Sequence, residues 1–297
     1  MTWESKNFFG KKELWFFQTH LTSNEIKTLK LLCANNLSRS VSISYLLKKI
    51  VLKEERLGRL SLAYEKFCQS FHIVEGNITT KVELEFFMKK KMHECSPLAL
   101  QFIGSKEILK KPLVAIIGSR HPTFYGREQT FRFAKELSAK GCTVISGGAI
   151  GIDSIANSVA LERGGGSCAI LGSGLKNLYP PSNSFLFNKL KHSHDGLILS
   201  EFSETEPPQK WNFPKRNHTI ALLADFVLVI EATLTSGSLI TAEAALDYGT
   251  DVGALPGGVD CSNSVGANSL IQRGAYCIQS PQDVFERVKY IYNQRAS

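Results

Sequence analysis

An α/β fold is predicted for this chain: an extended Rossmann-like, doubly wound, mostly parallel sheet with a small N-terminal helical domain. Three observations predict it. Four apolar runs end abruptly at glycine, serine or threonine: LVAIIGSR (113–120), CTVISGGAIGID (142–153), SCAILGSG (167–174) and DFVLVIEATLTSGSLITA (225–242). Each is continuously hydrophobic, as strands buried on both faces of a parallel sheet must be. Helical periods separate the runs, giving the βαβ rhythm of a doubly wound sheet. Upstream of them the chain carries helical periods alone, so the domains are expected at 1–105 (helical) and 106–297 (Rossmann-like).

The elements follow in order. Thr22-Ser23 is suited to cap a helix carrying Ile26, Leu29 and Leu32, and helical periods continue over 43–52, 60–71 and 82–92. A strand at 113–117 precedes a helix near 125–140. The strand at 143–146 precedes a helix begun by Asp153, a good N-cap residue, and ended by Gly164-Gly165-Gly166. Strands follow at 168–171, 197–200 and 226–230. A helix from Ser238 to Tyr248 stops at Gly249, and a short strand at 252–255 ends at Pro256-Gly257-Gly258. Ser280-Pro281-Gln282-Asp283 opens a terminal helix. In such sheets ligands sit at the carboxyl ends of the strands, where the small-residue turns lie.

Charge and cysteine content narrow the function. The net charge of +8 sits wholly in residues 1–111, which hold 19 Lys/Arg and 11 Asp/Glu; residues 112–297 hold 16 of each. A polyanion site on the α/β part must therefore rest on a few placed cations and backbone dipoles. Seven scattered cysteines without a CxxC pair read as reduced thiols, and His192-x-His194 and His93-x-Cys95 as surface pairs; no metal and no cofactor is expected. No apolar stretch reaches the roughly 18 residues of a membrane helix, and the charged start makes a poor signal peptide. A cytoplasmic protein without membrane partners is expected.

No GxxxxGK[ST] loop and no GxSxG elbow occurs. Gly172-Ser173-Gly174 begins a dinucleotide fingerprint, but its third glycine position is Asn177. Asp153, Glu201 and Glu231 follow strands and could converge as acid–base groups, yet the plainer roles are capping a helix for Asp153 and, for the two glutamates, orienting backbone N–H groups or pairing with an arginine. Phosphate holders are better represented. Arg120 directly follows a strand-end turn, where a guanidinium can clamp a phosphate bidentately or pair with Glu201 or Asp153. Ser146-Gly147-Gly148 and Ser236-Gly237-Ser238 lead into helix N-termini. The segment Lys210-Trp211-Asn212-Phe213-Pro214-Lys215-Arg216-Asn217, read as a loop, joins cations, aromatics and amides as a single-strand binder requires. Phe213 serves there either as a stacking platform or as a plug for the core.

Taken together, VAIIGSRHPTFYG, VISGGAIGIDSIA, AILGSGLKNLYPPSN, LILSEF, FPKRN, VIEATLTSGSLITAEAALDYG and LPGGVDCSNSVGANSLIQRGA resemble the DNA-processing protein A (DprA/Smf) family over about residues 112–280. The resemblance implies a homodimer that binds and protects single-stranded DNA and helps load the RecA recombinase onto incoming DNA in natural transformation. It implies a DNA-binding site of Arg120, Ser146, Gly147, Gly148, Lys210, Phe213, Lys215, Arg216, Asn217, Ser236, Gly237 and Ser238, and no catalytic residues. The alternative is a nucleotide- or nucleoside-processing enzyme on a related scaffold, with Glu231 as its acid. The family pattern has arginine at Ile150 and His218 and histidine at Asn157. Fewer cations are expected to weaken phosphate binding or make it sensitive to salt and pH, with His218 as a titrating replacement. The helical domain resembles the family's N-terminal module in position and size only, and its positive surplus offers DNA a second contact. The C-terminal winged-helix module of some members is not expected.

Overall fold

The computed structural model describes residues 11–22, scattered positions between 24 and 63, and residues 78–88, 90, 93 and 95–296. The expectations on Ser23, Leu32, Cys33, Cys68 and most of 43–52 and 60–71 lie outside the described residues. The chain forms two compact units, Met1–Glu83 with Pro97–Gln101 and Leu84–Ser96 with Phe102–Ser297.

In the first unit, helix α1 (Lys11–His20) buries Leu14, Trp15, Phe16 and Phe17 against Leu29, Leu47, Ile50 and Leu60. Thr22 opens the next helical turn through a reciprocal cap: its N–H donates to Glu25 Oε2 (2.7 Å), and its Oγ1 accepts from Glu25 N (3.3 Å). A feature absent from the helical periodicity is a short antiparallel pairing of β1 (Ile78–Thr80) with the start of β2 (Ala99–Gly104). Three residues are too few to show a period. Helix α2 (Lys81–Met88) follows β1.

The second unit alternates as predicted. Its elements are β3 (Leu113–Ile117), α3 (Phe124–Ala139), β4 (Thr143–Ser146), α4 (Ile152–Glu162), β5 (Gly166–Leu171), α5 (Ser184–His192), β6 (Gly196–Ser200), α6 (Asn212–Leu223), β7 (Phe226–Val229), α7 (Gly237–Asp247), β8 (Asp251–Ala254), α8 (Val265–Gln272), β9 (Tyr276–Cys277) and α9 (Pro281–Ala296). Strands β3 to β9 lie side by side, all parallel, in the order β6-β5-β4-β3-β7-β8-β9. The chain winds outward from β3 to β6, then returns to β7 on the other side of β3. That reversal opens a crevice beyond the carboxyl ends of β3 and β7, the usual place for a ligand in such a sheet.

Burial explains the uninterrupted apolar runs. Every residue of β3, β4, β5, β6 and β7 is buried. Along one face Val114, Ile116, Val144 and Phe226 pack with Phe133, Leu137, Ala156 and Val288, and towards β6 on the same face Ala169, Leu171 and Ile198 pack with Leu186, Phe187 and Leu190. Cys142 and Cys168 belong to this interior, and burial pushes the Cys142 thiol up to about 12.

Two expectations are corrected. The segment around Phe213 and Pro214 is not a loop: Asn212, Phe213 and Pro214 are the first three residues of α6. Proline lacks an N–H, but N–H groups in a first turn have no intrahelical partner to lose. Asp153 does not cap α4 either. Gly151 occupies that position, and Asp153, second residue of the first turn and buried, accepts from Gly147 N (3.0 Å). Among the described residues no helix is long and apolar enough to cross a membrane.

Candidate nucleic-acid interface

The carboxyl edge collects the turns after β3, β4, β5 and β7 together with the N-terminus of α6, and it divides the twelve expected residues into an outer and an inner set. Arg120, Lys210, Lys215 and Gly237 are exposed, and Phe213 and Ser236 are half-buried. Ser146, Gly147, Gly148, Arg216, Asn217 and Ser238 are buried. The sequence grouped them by type and order; the fold separates them by depth.

Arg216 is the centre of the inner set. It is 5% exposed, and its Nη1 donates to the carbonyls of Gly147 and Ile170, the latter at 2.7 Å. Its Nε donates to Asn217 Oδ1 (3.0 Å), and Asn217 Nδ2 donates to Gly237 O (3.1 Å). One side chain and its neighbour thus tie α6 to the end of β5, the turn after β4 and the turn before α7. Gly147 is required there, because a Cβ would overlap the Arg216 guanidinium. Burial pushes the Arg216 guanidinium down to about 10, helped by Arg120 and opposed by Asp153, so it stays charged at neutral pH. Burial likewise raises the Asp153 carboxyl, against the pull of Arg216 and the Gly147 N–H. The turn after β4 therefore does not present a bare edge: Gly147 gives its N–H to Asp153 and its carbonyl to Arg216, and Ser146 Oγ donates to Ile116 O (2.7 Å).

The outer set faces solvent. The guanidinium of Arg120 lies 5.8 Å from the centre of the Phe213 ring and that of Arg216 5.9 Å, the distances of cation–π contacts. Phe213 packs on Gly172, where a Cβ would stand 2.8 Å from its ring, and Tyr179 tilts against it at 5.8 Å. Phe213 is thus seated on the β5 turn, as a plug would be, and part of its ring stays exposed beside Arg120. Lys215 pairs with Glu201 (3.2 Å) and lies 5.2 Å from the Phe202 ring. Ser236 caps α7, accepting from Ser238 N (3.3 Å), and a side chain added at Gly237 would meet open space. Trp211, 70% exposed beside Lys210, was not among the expected site residues, although its type and neighbour were visible in the sequence.

The three acidic residues after strands have structural partners. Glu231 is 1% exposed and accepts from Thr123 N (2.9 Å) and from Thr123 Oγ1, fixing the start of α3. Glu201 accepts from Thr219 Oγ1 (3.0 Å). Asn157 is a core residue rather than a lost surface cation, since its Nδ2 donates to Ser167 Oγ and Cys168 O (both 3.1 Å). His218 Nδ1 shares a hydrogen bond with the Tyr248 hydroxyl (2.7 Å), and Ile150 is 36% exposed. Among the described residues no group of three His, Cys, Asp or Glu is placed to hold a metal.

A doubly wound parallel sheet with exposed cations and a half-exposed aromatic at its carboxyl edge defines a Rossmann-like protein. More particularly, the chain belongs to the DNA recombination-mediator protein A family, whose model matches residues 77–289. It is 39% identical to Protein Smf of Escherichia coli K12 over 194 residues, 65% of this chain and 52% of that protein. It is also 39% identical to DNA processing protein DprA of Streptococcus pneumoniae R6 over 195 residues, 66% of this chain and 68% of its relative. The match thus spans about half the length of the E. coli protein. The X-ray structure of DNA processing protein A from S. pneumoniae superposes with a TM-score of 0.82 and 29% identity, covering 94% of this chain and 98% of its own. DNA processing protein A from Helicobacter pylori, whose structure concerns its single-stranded-DNA binding mode, gives 0.59 and 32%, covering 66% and 87%.

Proposed function

We propose that this chain is a recombination mediator that holds and protects single-stranded DNA along the carboxyl edge of its sheet and is not an enzyme. The observation that carries the reading is the exposed Arg120 at 5.8 Å from the half-exposed Phe213 ring, with Lys210 and Lys215 exposed nearby in the chain. Phosphates then meet Arg120, Lys210, Lys215 and the turn at Ser236–Ser238, while bases stack on Phe213. Arg216, Asn217 and the Ser146–Gly148 turn hold that edge in shape from beneath. Backbone and stacking contacts carry no sequence code, so binding has little sequence preference. The single-stranded-DNA binding mode studied for the H. pylori relative supports the choice of ligand.

Membership of that family supports the further reading that the protein helps load the RecA recombinase onto incoming DNA during natural transformation, as a cytoplasmic homodimer. The competing reading, a nucleotide- or nucleoside-processing enzyme using Glu231, is disfavoured because that carboxylate is buried and engaged by Thr123. A labelled oligonucleotide, single- against double-stranded, tests the choice in a mobility shift. Preferential single-strand binding is expected. Turnover of a mononucleotide with no shift at low salt contradicts the reading.

A further inference from the structure

From the loop after β5 we infer that Tyr179 is a second base platform, which with Phe213 forms a tilted two-ring ledge that admits unpaired bases and refuses a duplex. This rests on the reading that DNA lies along this edge. Tyr179 is 40% exposed, its ring centre is 5.8 Å from that of Phe213, and the two planes meet at 52°.

A platform must also be held still, and this loop is fastened at three points. Ser173 Oγ donates to Asn177 O (2.6 Å), Asn177 Nδ2 donates to Thr205 O (2.7 Å), and Asn183 Nδ2 donates to Gly148 O (2.9 Å). The last bond anchors the Tyr179 loop to the turn that Arg216 braces. Phe213 in turn is fixed on Gly172. Both rings are therefore set before a ligand arrives.

Ring geometry supplies the selectivity. Successive nucleotides of a duplex strand rise by about 3.4 Å and keep their bases parallel and paired. Two faces 5.8 Å apart and tilted by 52° cannot both lie flat on such neighbours. An unpaired strand can splay two adjacent bases and lay one on each ring, and every base has a face to offer. The charges agree: Arg120 and Arg216 gather at Phe213 and repel one another, which favours a polyanion beside the rings.

The test places 2-aminopurine at each position of a short oligothymidylate in turn and reads its emission on binding. In the wild-type chain, two adjacent positions respond, and an abasic site at either weakens binding. Tyr179→Leu loses one responding position and about 5-fold or more in single-strand affinity with an unchanged salt slope, whereas Tyr179→Phe keeps both. A Tyr179→Leu chain with both signals and full affinity overturns the ledge. So does a wild-type chain with a single responding position, an outcome that needs no variant to fold. Failure of the wild-type chain to bind any oligonucleotide sinks the functional reading itself, and the ledge with it.

Discussion

Arg120 and Arg216 carry the same guanidinium and lie within range of the same ring, but one is exposed and the other buried. Arg216 is enclosed, with two carbonyls, an amide oxygen and the field of Asp153 around it. Arg216→Ala leaves Asp153 buried without that charge and the Gly147 and Ile170 carbonyls without that donor. A loss of about 3–5 kcal/mol of stability is expected, read by urea unfolding. Arg216→Lys does not restore it, because an ammonium cannot reproduce the fork. Gly147→Ala drives a methyl into the same guanidinium and costs about 1–3 kcal/mol in that assay. The sequence could not separate the two arginines. Both stand in cation-bearing motifs, and arginine is mostly exposed, so both read as phosphate holders. The burial of Arg216 depends on a glycine 69 residues away in the chain.

At the scale of elements, the strands were legible because burial on both faces removes polar residues altogether. Helix α6 was not, since Trp211, Pro214 and two cations around its start look like a loop, and its tertiary contacts fix its conformation. Asp153 was misread as a cap for a related reason: a carboxylate near a helix start serves the turn before it just as readily. In the first unit the reciprocal cap at Thr22 was half visible, and Arg56 completes it with an ion pair to Glu25 at 2.7 Å. The Arg56 guanidinium holds the Glu25 carboxyl at about 2, well below its ordinary 4.5. A depressed carboxyl contributes its stability fully above pH 4.5 and loses it as pH falls towards 2. Unfolding titrations of the whole chain at stepped pH should show that loss, and Arg56→Ala should reduce its slope over the same window.

For the molecule as a whole, charge distribution and topology decide what the ridge can be. The positive surplus lies in residues 1–111 while residues 112–297 are balanced, so the α/β unit cannot act as a broad basic surface. The anion site proposed for it would have to be small and built from placed groups, and Arg120 follows β3, beside which the strand order reverses. Six of the twelve expected residues are exposed or half-buried and six are buried, a division that depth alone supplies. The measurement that tests this account most directly is the salt dependence of single-strand affinity for the wild-type chain and Arg120→Ala. Arg120→Ala should unfold within about 0.5 kcal/mol of the wild type, bind more weakly, and show a log–log salt slope shallower by about 0.7, one phosphate contact fewer. An unchanged slope and affinity in a stably folded Arg120→Ala would contradict it.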